Sequence, residues 1–297
     1  MIDTVLMAIY FKYYALGDFM ALCFMFITNN PQVALVAEKT GVDRIWVDLE
    51  ILGKEERQKN LNTVKSKHSI DDVRALSKLL TKSELMVRVN PVNEGSKEEI
   101  EEVIKAGAKR IMLPMWKSFE EVKWFLDTVG GRVKTTLLLE TKEAVECVDE
   151  VLSHPLIDEI HIGLNDLHLS YGLKFMFELL SNGIVEKLCK KFKERNIPFG
   201  FGGIARLGQG MLPAEKIITE HYRLGSTRAI LSRSFCNTEE VKDIAVVETI
   251  FLENMTLLRE YEKRLANKSD AEYRDNTDEI NCCVETIVSK IKEKEGR

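Results

Sequence analysis

A chain of 297 residues, 45% hydrophobic and 30% charged, has the composition of an ordinary soluble protein and can bury a sizeable core, as one large domain or two small ones. Its net charge of −5 gives no electrostatic reason to expect a nucleic acid or another polyanion as partner. Six cysteines without a CxxC pair or metal-ligand spacing fit a reducing, cytoplasmic compartment better than a disulfide scaffold.

Residues 1–20 read as an N-terminal extension. The apolar stretch from Val5 to Phe26 is interrupted by Lys12 and Asp18 and lacks a basic flank or small-residue cleavage site, which argues against a membrane span or leader. Phe24 to Thr28 is the first expected strand. Pro31 then opens a helix that Gly41 stops. Arg44 to Val47 is a second strand, ending in Asp48 and Glu50 and followed by a highly charged stretch, GKEERQKNLNTVKSKH. A helix from Ile70 to Leu80, a strand from Glu84 to Val89, a helix from Lys97 to Ala106, a strand from Lys109 to Leu113 and a helix from Phe119 to Val129 follow.

Thr136 to Leu139 ends abruptly at Glu140, and Ile160 to Gly163 ends a few residues before Asp166, with an amphipathic helical segment between them. A long helix from Lys174 to Arg195 leads to a strand at Pro198 to Phe201. The turn GGIARLGQG precedes a helix from Pro213 to Tyr222, the last strand is Arg228 to Leu231, and a helix spans Glu239 to Asn267. Eight alternations of a short apolar run with a helical pattern predict a (β/α)₈ barrel over residues 21–268. An open doubly wound sheet is the alternative, but the first strand lacks a dinucleotide glycine fingerprint. Residues 269–297 form a helical tail whose Ile280, Val284, Ile287 and Ile291 make one apolar stripe. That stripe suits either a subunit boundary in a homo-oligomer or the chain's own barrel.

Side chains alternate across a strand, so Glu140 shares the inward face with Leu138 and Thr136, Asp48 and Glu50 share one with Trp46, and Arg88 shares one with Asn90. These polar groups end their strands at the face where barrel enzymes keep their chemistry. Two carboxylates, Glu140 and Asp166, suit Mg²⁺ or Mn²⁺ with water and a chelating substrate, and a nearby guanidinium completes an oxyanion site. Each acid taken singly could equally be a buried partner of an arginine.

The runs GVDRIWVDLE, MVRVN, LLETKEAV and IGLNDLHLSYG resemble the HpcH/HpaI aldolase and citrate lyase β-subunit family. The resemblance implies a metal-dependent barrel that makes or breaks a carbon–carbon bond beside a 2-oxo acid or an acyl thioester. It assigns Glu140 and Asp166 to the metal, Arg88 to the substrate and its enolate, and Asn165 with Asp166 to the place where a substrate carboxylate is held. Leu138 and Ile51 stand where the aldolase branch carries Gln and His, and Leu164 where the family has Pro. The chain retains Val47 to Glu50 and Arg88 to Asn90, which places it nearer the citrate lyase-like branch.

A general base for such a reaction is expected at His68 or, alternatively, at Glu50. Arg206, in the glycine-rich turn, is a candidate for a phosphate or second carboxylate of a phosphorylated or CoA-linked substrate. No predicted strand ends in the lysine a Schiff-base aldolase needs. The expected function is therefore a metal-dependent lyase of a small 2-oxo acid with an aldehyde or acyl-CoA. Phosphoenolpyruvate-type chemistry and a non-catalytic relative are the rival readings.

Overall fold

The computed structural model describes residues 21–53 and 68–295. The N-terminal extension and most of the charged stretch after the second strand lie outside the described residues. Eight short strands follow one another as β1 (Cys23–Ile27), β2 (Arg44–Asp48), β3 (Glu84–Arg88), β4 (Arg110–Leu113), β5 (Lys134–Leu139), β6 (Ile160–Ile162), β7 (Phe199–Ile204) and β8 (Arg228–Leu231). They pair in sequence order, all in parallel, and close through β8 and β1. Parallel neighbours need long crossovers, and helices supply them. The barrel expected from the alternation is thus the fold.

The helices are α1 (Pro31–Lys39), α2 (Ile70–Leu79), α3 (Ser96–Ala106), α4 (Phe119–Val129), α5 (Lys142–Glu146), α6 (Val148–Val151), α7 (Leu164–Ser170), α8 (Glu178–Ser181), α9 (Ile184–Glu194), α10 (Ala214–Leu224), α11 (Ile244–Leu265) and α12 (Asp270–Glu295). Local chemistry sets many of their ends. The Asn30 side chain accepts from the backbone N–H groups of Gln32 and Val33 ahead of α1, and Ser69 with Asp72 forms a reciprocal capping box at α2.

Inward side chains fill the barrel in storeys. At the bottom, Arg44, Glu84, Arg110 and Arg228 are the first residues of β2, β3, β4 and β8. Arg44 bridges Glu84 (2.6 Å) and Glu159 (2.8 Å), Arg110 reaches Glu84 at 3.0 Å, and Arg228 reaches Glu159 at 2.7 Å. Thr136 Oγ1 also donates to Glu159. Burial pushes the Glu159 carboxyl up, but Arg44 and Arg110 outweigh it and hold the pKa down at about 2. Above this ionic floor lies an apolar layer of Met25, Trp46, Met86, Met112 and Leu138. The larger core lies outside the strands, between them and the helices.

Two expectations need correction. The long helix over 174–195 is two helices, because Gly183 takes a left-handed backbone (φ 77°) between α8 and α9. β7 runs on to Ile204, so Gly202 and Gly203 of the expected turn belong to the strand. The expected helical tail is α12, from Asp270 to Glu295. That helix docks on its own barrel against α8 and α10, burying Ile280, Val284 and Val288. No helix of the described residues is long and apolar enough to cross a membrane.

Candidate active site

The C-terminal ends of the strands open into a cavity of about 720 Å³. Asp48, His68, Arg88, Glu140, Asn165 and Asp166 all line it, together with Trp46, Leu138, His161 and Gly163. Glu140 follows β5 directly and is held from two sides. One oxygen, Oε1, accepts the Met115 N–H at 3.0 Å. Met115 has φ 54°, a left-handed backbone unusual for its side chain. The other oxygen faces Gly163, where an added Cβ would come within 2.8 Å of it and 2.9 Å of Glu140 Cβ. Thr141, next in sequence, caps α5 and donates to the Trp116 carbonyl, tying this corner to the loop after β4.

Burial first and the Asp166 carboxylate second push Glu140 well above the ordinary carboxylate range, against the pull of Arg88. Asp166 sits in the first turn of α7. Two carboxylates that repel one another in a buried corner suit a cation. Among the described residues no group of three or more His, Cys, Asp or Glu side chains could hold a metal. Two carboxylates nevertheless fit Mg²⁺ or Mn²⁺, which keep part of their water and seldom occupy an all-protein cage.

Arg88 is fixed by Asp48, its direct partner in the β2–β3 register. Nε and Nη2 donate to the two Asp48 oxygens, each at 2.8 Å, and Nη2 lies 3.2 Å from Glu50 Oε2. The guanidinium also stands over the Trp46 ring at 5.1 Å. Nη1 takes no hydrogen bond among the described residues. Asp48 and Glu50 keep Arg88 charged against the cost of its burial. Asp48 has a further role: its backbone N–H donates to His68 Nδ1 at 2.9 Å. A neutral His68 therefore carries its proton on Nε2, and it can act as a base only by giving up the Asp48 amide.

The remaining expected residues fall elsewhere. Glu50 is buried beside Arg88 and outside the cavity lining. Asn90 is spent on local structure: Oδ1 accepts from the Ile51 and Leu52 amides, and Nδ2 donates to Glu99 at 2.8 Å. Arg206 Nε donates to the Ser234 carbonyl at 3.4 Å, away from the lining. β7 draws the first glycines of that run into the sheet. Cations do line the mouth at Arg233 and Lys242, in the loop after β8. Lys242 is exposed, which does not suit a Schiff-base lysine kept neutral by burial.

Sequence placed Asp48 on the inward face without assigning it a task. Its signal was the meeting of opposite charges at the ends of β2 and β3, but the register between them is tertiary information. Met115 and Gly163 carried no such signal. His161 is fully buried, donates from Nε2 to the Gly202 carbonyl at 3.2 Å, and is held neutral by burial, with a pKa of about 4.

A family model described as HpcH/HpaI aldolase/citrate lyase matches residues 22–178. That is more than half of the chain, and it runs from the start of β1 to the start of α8. The chain belongs to the HpcH/HpaI aldolase/citrate lyase family. An HpcH/HpaI aldolase from Desulfitobacterium hafniense DCB-2 matches with a TM-score of 0.56 and 14% identity, over 77% of this chain and 93% of that one. An HpcH/HpaI aldolase/citrate lyase family protein from Burkholderia cenocepacia J2315 gives 0.54 and 13%, over 80% and 98%. A variant of the citrate synthase SbnG gives 0.55 and 14%, over 81% and 98%. At such identities the likeness speaks for the fold alone. No curated protein matches the chain.

Proposed function

We propose that the chain is a divalent-metal-dependent carbon–carbon lyase acting on a 2-oxo acid, or on a related hydroxy acid or acyl thioester, through an enolate. The observation that supports this best is the meeting of Glu140 and Asp166 in one cavity with an Arg88 gripped at both ends of its fork. Glu140 and Asp166 would hold the Mg²⁺ or Mn²⁺, which would supply Lewis acidity to such a substrate.

Each protein group then has a definite task. Asn165 donates to the substrate carboxylate. Arg88 donates to the oxygen that gains charge as the carbon–carbon bond breaks, and Asp48 holds the guanidinium still while it does so. His68, with Nδ1 occupied, donates from Nε2 to a substrate oxygen. The hydroxyl proton goes to Glu50 through one water, because Glu50 lies just behind the lining. The cleaved fragment leaves as an aldehyde, and the proton taken from its hydroxyl returns to the enolate carbon to release the 2-oxo acid.

Oxalate mimics the enolate of a 2-oxo acid. Calorimetric titration should show oxalate binding that requires Mg²⁺ or Mn²⁺, is removed by EDTA and is lost in Glu140→Ala. Binding without metal, or unchanged in that variant, would sink the reading. Release of pyruvate from a panel of aldol substrates, sensitive to EDTA, then identifies the reaction.

A further inference from the structure

Among the described residues that line the cavity, two buried side-chain nitrogens have no hydrogen-bond partner, Trp46 Nε1 and His161 Nδ1. His161 Nδ1 is packed against β7: an added Cβ at Gly200, which does not line the cavity, would come within 2.7 Å of it. Trp46 is placed differently. It belongs to the apolar layer above the ionic floor, where the residue is 2% exposed, and it also lines the cavity. An indole nitrogen can only donate, and a buried tryptophan ordinarily finds an acceptor for it. Met25, Met86, Met112 and Leu138, which make up the rest of the layer, offer it thioethers and methyl groups.

The surroundings of Trp46 are those of the reacting corner. On β2 it shares the inward face with Asp48, whose carboxylate grips Arg88, and the Arg88 guanidinium stands over its ring at 5.1 Å. Leu138, in the same layer, stands two residues before Glu140 on the inward face of β5. Trp46 thus lies beneath the guanidinium, with its N–H unused. An unpartnered buried donor destabilises the free protein, and that cost is relieved only when a ligand oxygen reaches it.

We propose that Trp46 is a catalytic residue: its Nε1–H donates, together with Arg88 Nη1, to the oxygen that gains charge as the carbon–carbon bond breaks. The assignment rests on the lyase reading and deepens it, because it gives the enolate oxygen two donors from the protein. Arg88 brings the charge and is held by Asp48, while Trp46 is held by the packed layer around it, so neither has to reorganise as charge develops.

The test uses the full chain with saturating Mg²⁺ and oxalate as the enolate mimic. The chain has three tryptophans, so ¹⁵N-labelled indoles can be resolved by nuclear magnetic resonance, and the signal lost in Trp46→Phe is that of Trp46. Oxalate should move this signal downfield, as a new hydrogen bond does. Calorimetry should show oxalate binding at least tenfold weaker in Trp46→Phe, with the affinity for Mg²⁺ alone unchanged. Phenylalanine also leaves a gap in the layer, so a second protein carries β-benzothienylalanine in place of Trp46, which keeps the shape of tryptophan and puts sulfur where the N–H was. It should melt no lower than the wild type and show the same weakening. An indole signal that oxalate does not move, or wild-type oxalate affinity in the benzothienyl protein, overturns the assignment. Failure of oxalate to bind the wild type with metal would remove the lyase reading and this assignment together, an outcome distinct from binding that ignores Trp46.

Discussion

Glu140 is poorly suited to its surroundings unless something positive joins it. Its carboxylate is buried, pushed up by burial and by Asp166, and a group in that condition destabilises the charged native state. Glu140→Gln keeps the oxygen that accepts the Met115 amide and removes the charge. The variant should melt higher than the metal-free wild type, by about 2 °C or more for a gain near 1 kcal/mol, and should lose metal-dependent oxalate binding. A lower melting point would mean that the carboxylate is satisfied by the protein alone. Asp48 poses the opposite case, since its partner Arg88 has a side chain only 12% exposed. Asp48→Asn breaks a two-bond ion pair, at a cost of about 3–5 kcal/mol by analogy with other buried pairs. Denaturant melts should register that loss, and oxalate should bind at least tenfold more weakly. An unchanged oxalate affinity would show that Arg88 does not need its clamp.

At the scale of elements, the loop after β4 and the turn after β6 shape the corner that holds Glu140. Gly163 has an ordinary backbone (φ −81°), so alanine there meets no conformational strain, but it meets the Glu140 side chain at 2.8 Å and Leu138 Cδ1 at 3.3 Å. Gly163→Ala should cost about 1–3 kcal/mol as an overpacking change and weaken metal-dependent binding at least tenfold. A variant with wild-type metal affinity would show that the corner yields. Much of this scale was legible beforehand. The alternation of apolar runs with helical patterns gave the barrel, and parity put Asp48, Arg88 and Glu140 on the inward face. What could not be read was partnership. Asn90 has the parity of a site residue, but its amide is claimed by the loop after β2 and by Glu99 on α3. Arg206 sits in a glycine-rich run whose first members extend β7. The grip of Met115 on Glu140 depends on a left-handed backbone at a residue type that seldom adopts one.

For the whole molecule, the ionic floor sets the acid limit of stability. Glu159 titrates at about 2 in the folded state, below its ordinary value of 4.5. A depressed carboxylate contributes stability that is fully present above the unfolded pKa and lost as pH falls through the folded one. Its contribution should therefore fade between about pH 4.5 and 2, and thermal melts of Glu159→Gln should lie well below the wild type at pH 6 and converge with it near pH 2. A constant gap across that window would place the stabilisation elsewhere.

The same floor, with its roof of three methionines and Trp46, also makes the barrel a vessel with a single door. Whatever enters must leave by the way it came, and the ligand held deepest waits for the one above it. For the proposed cleavage this sets a kinetic order: the aldehyde departs first and the 2-oxo acid last, so in the condensation direction the 2-oxo acid must bind before its partner. Product-inhibition patterns should show pyruvate competing with the aldol substrate while the aldehyde inhibits noncompetitively, and the reverse pattern would mean that the 2-oxo acid leaves first.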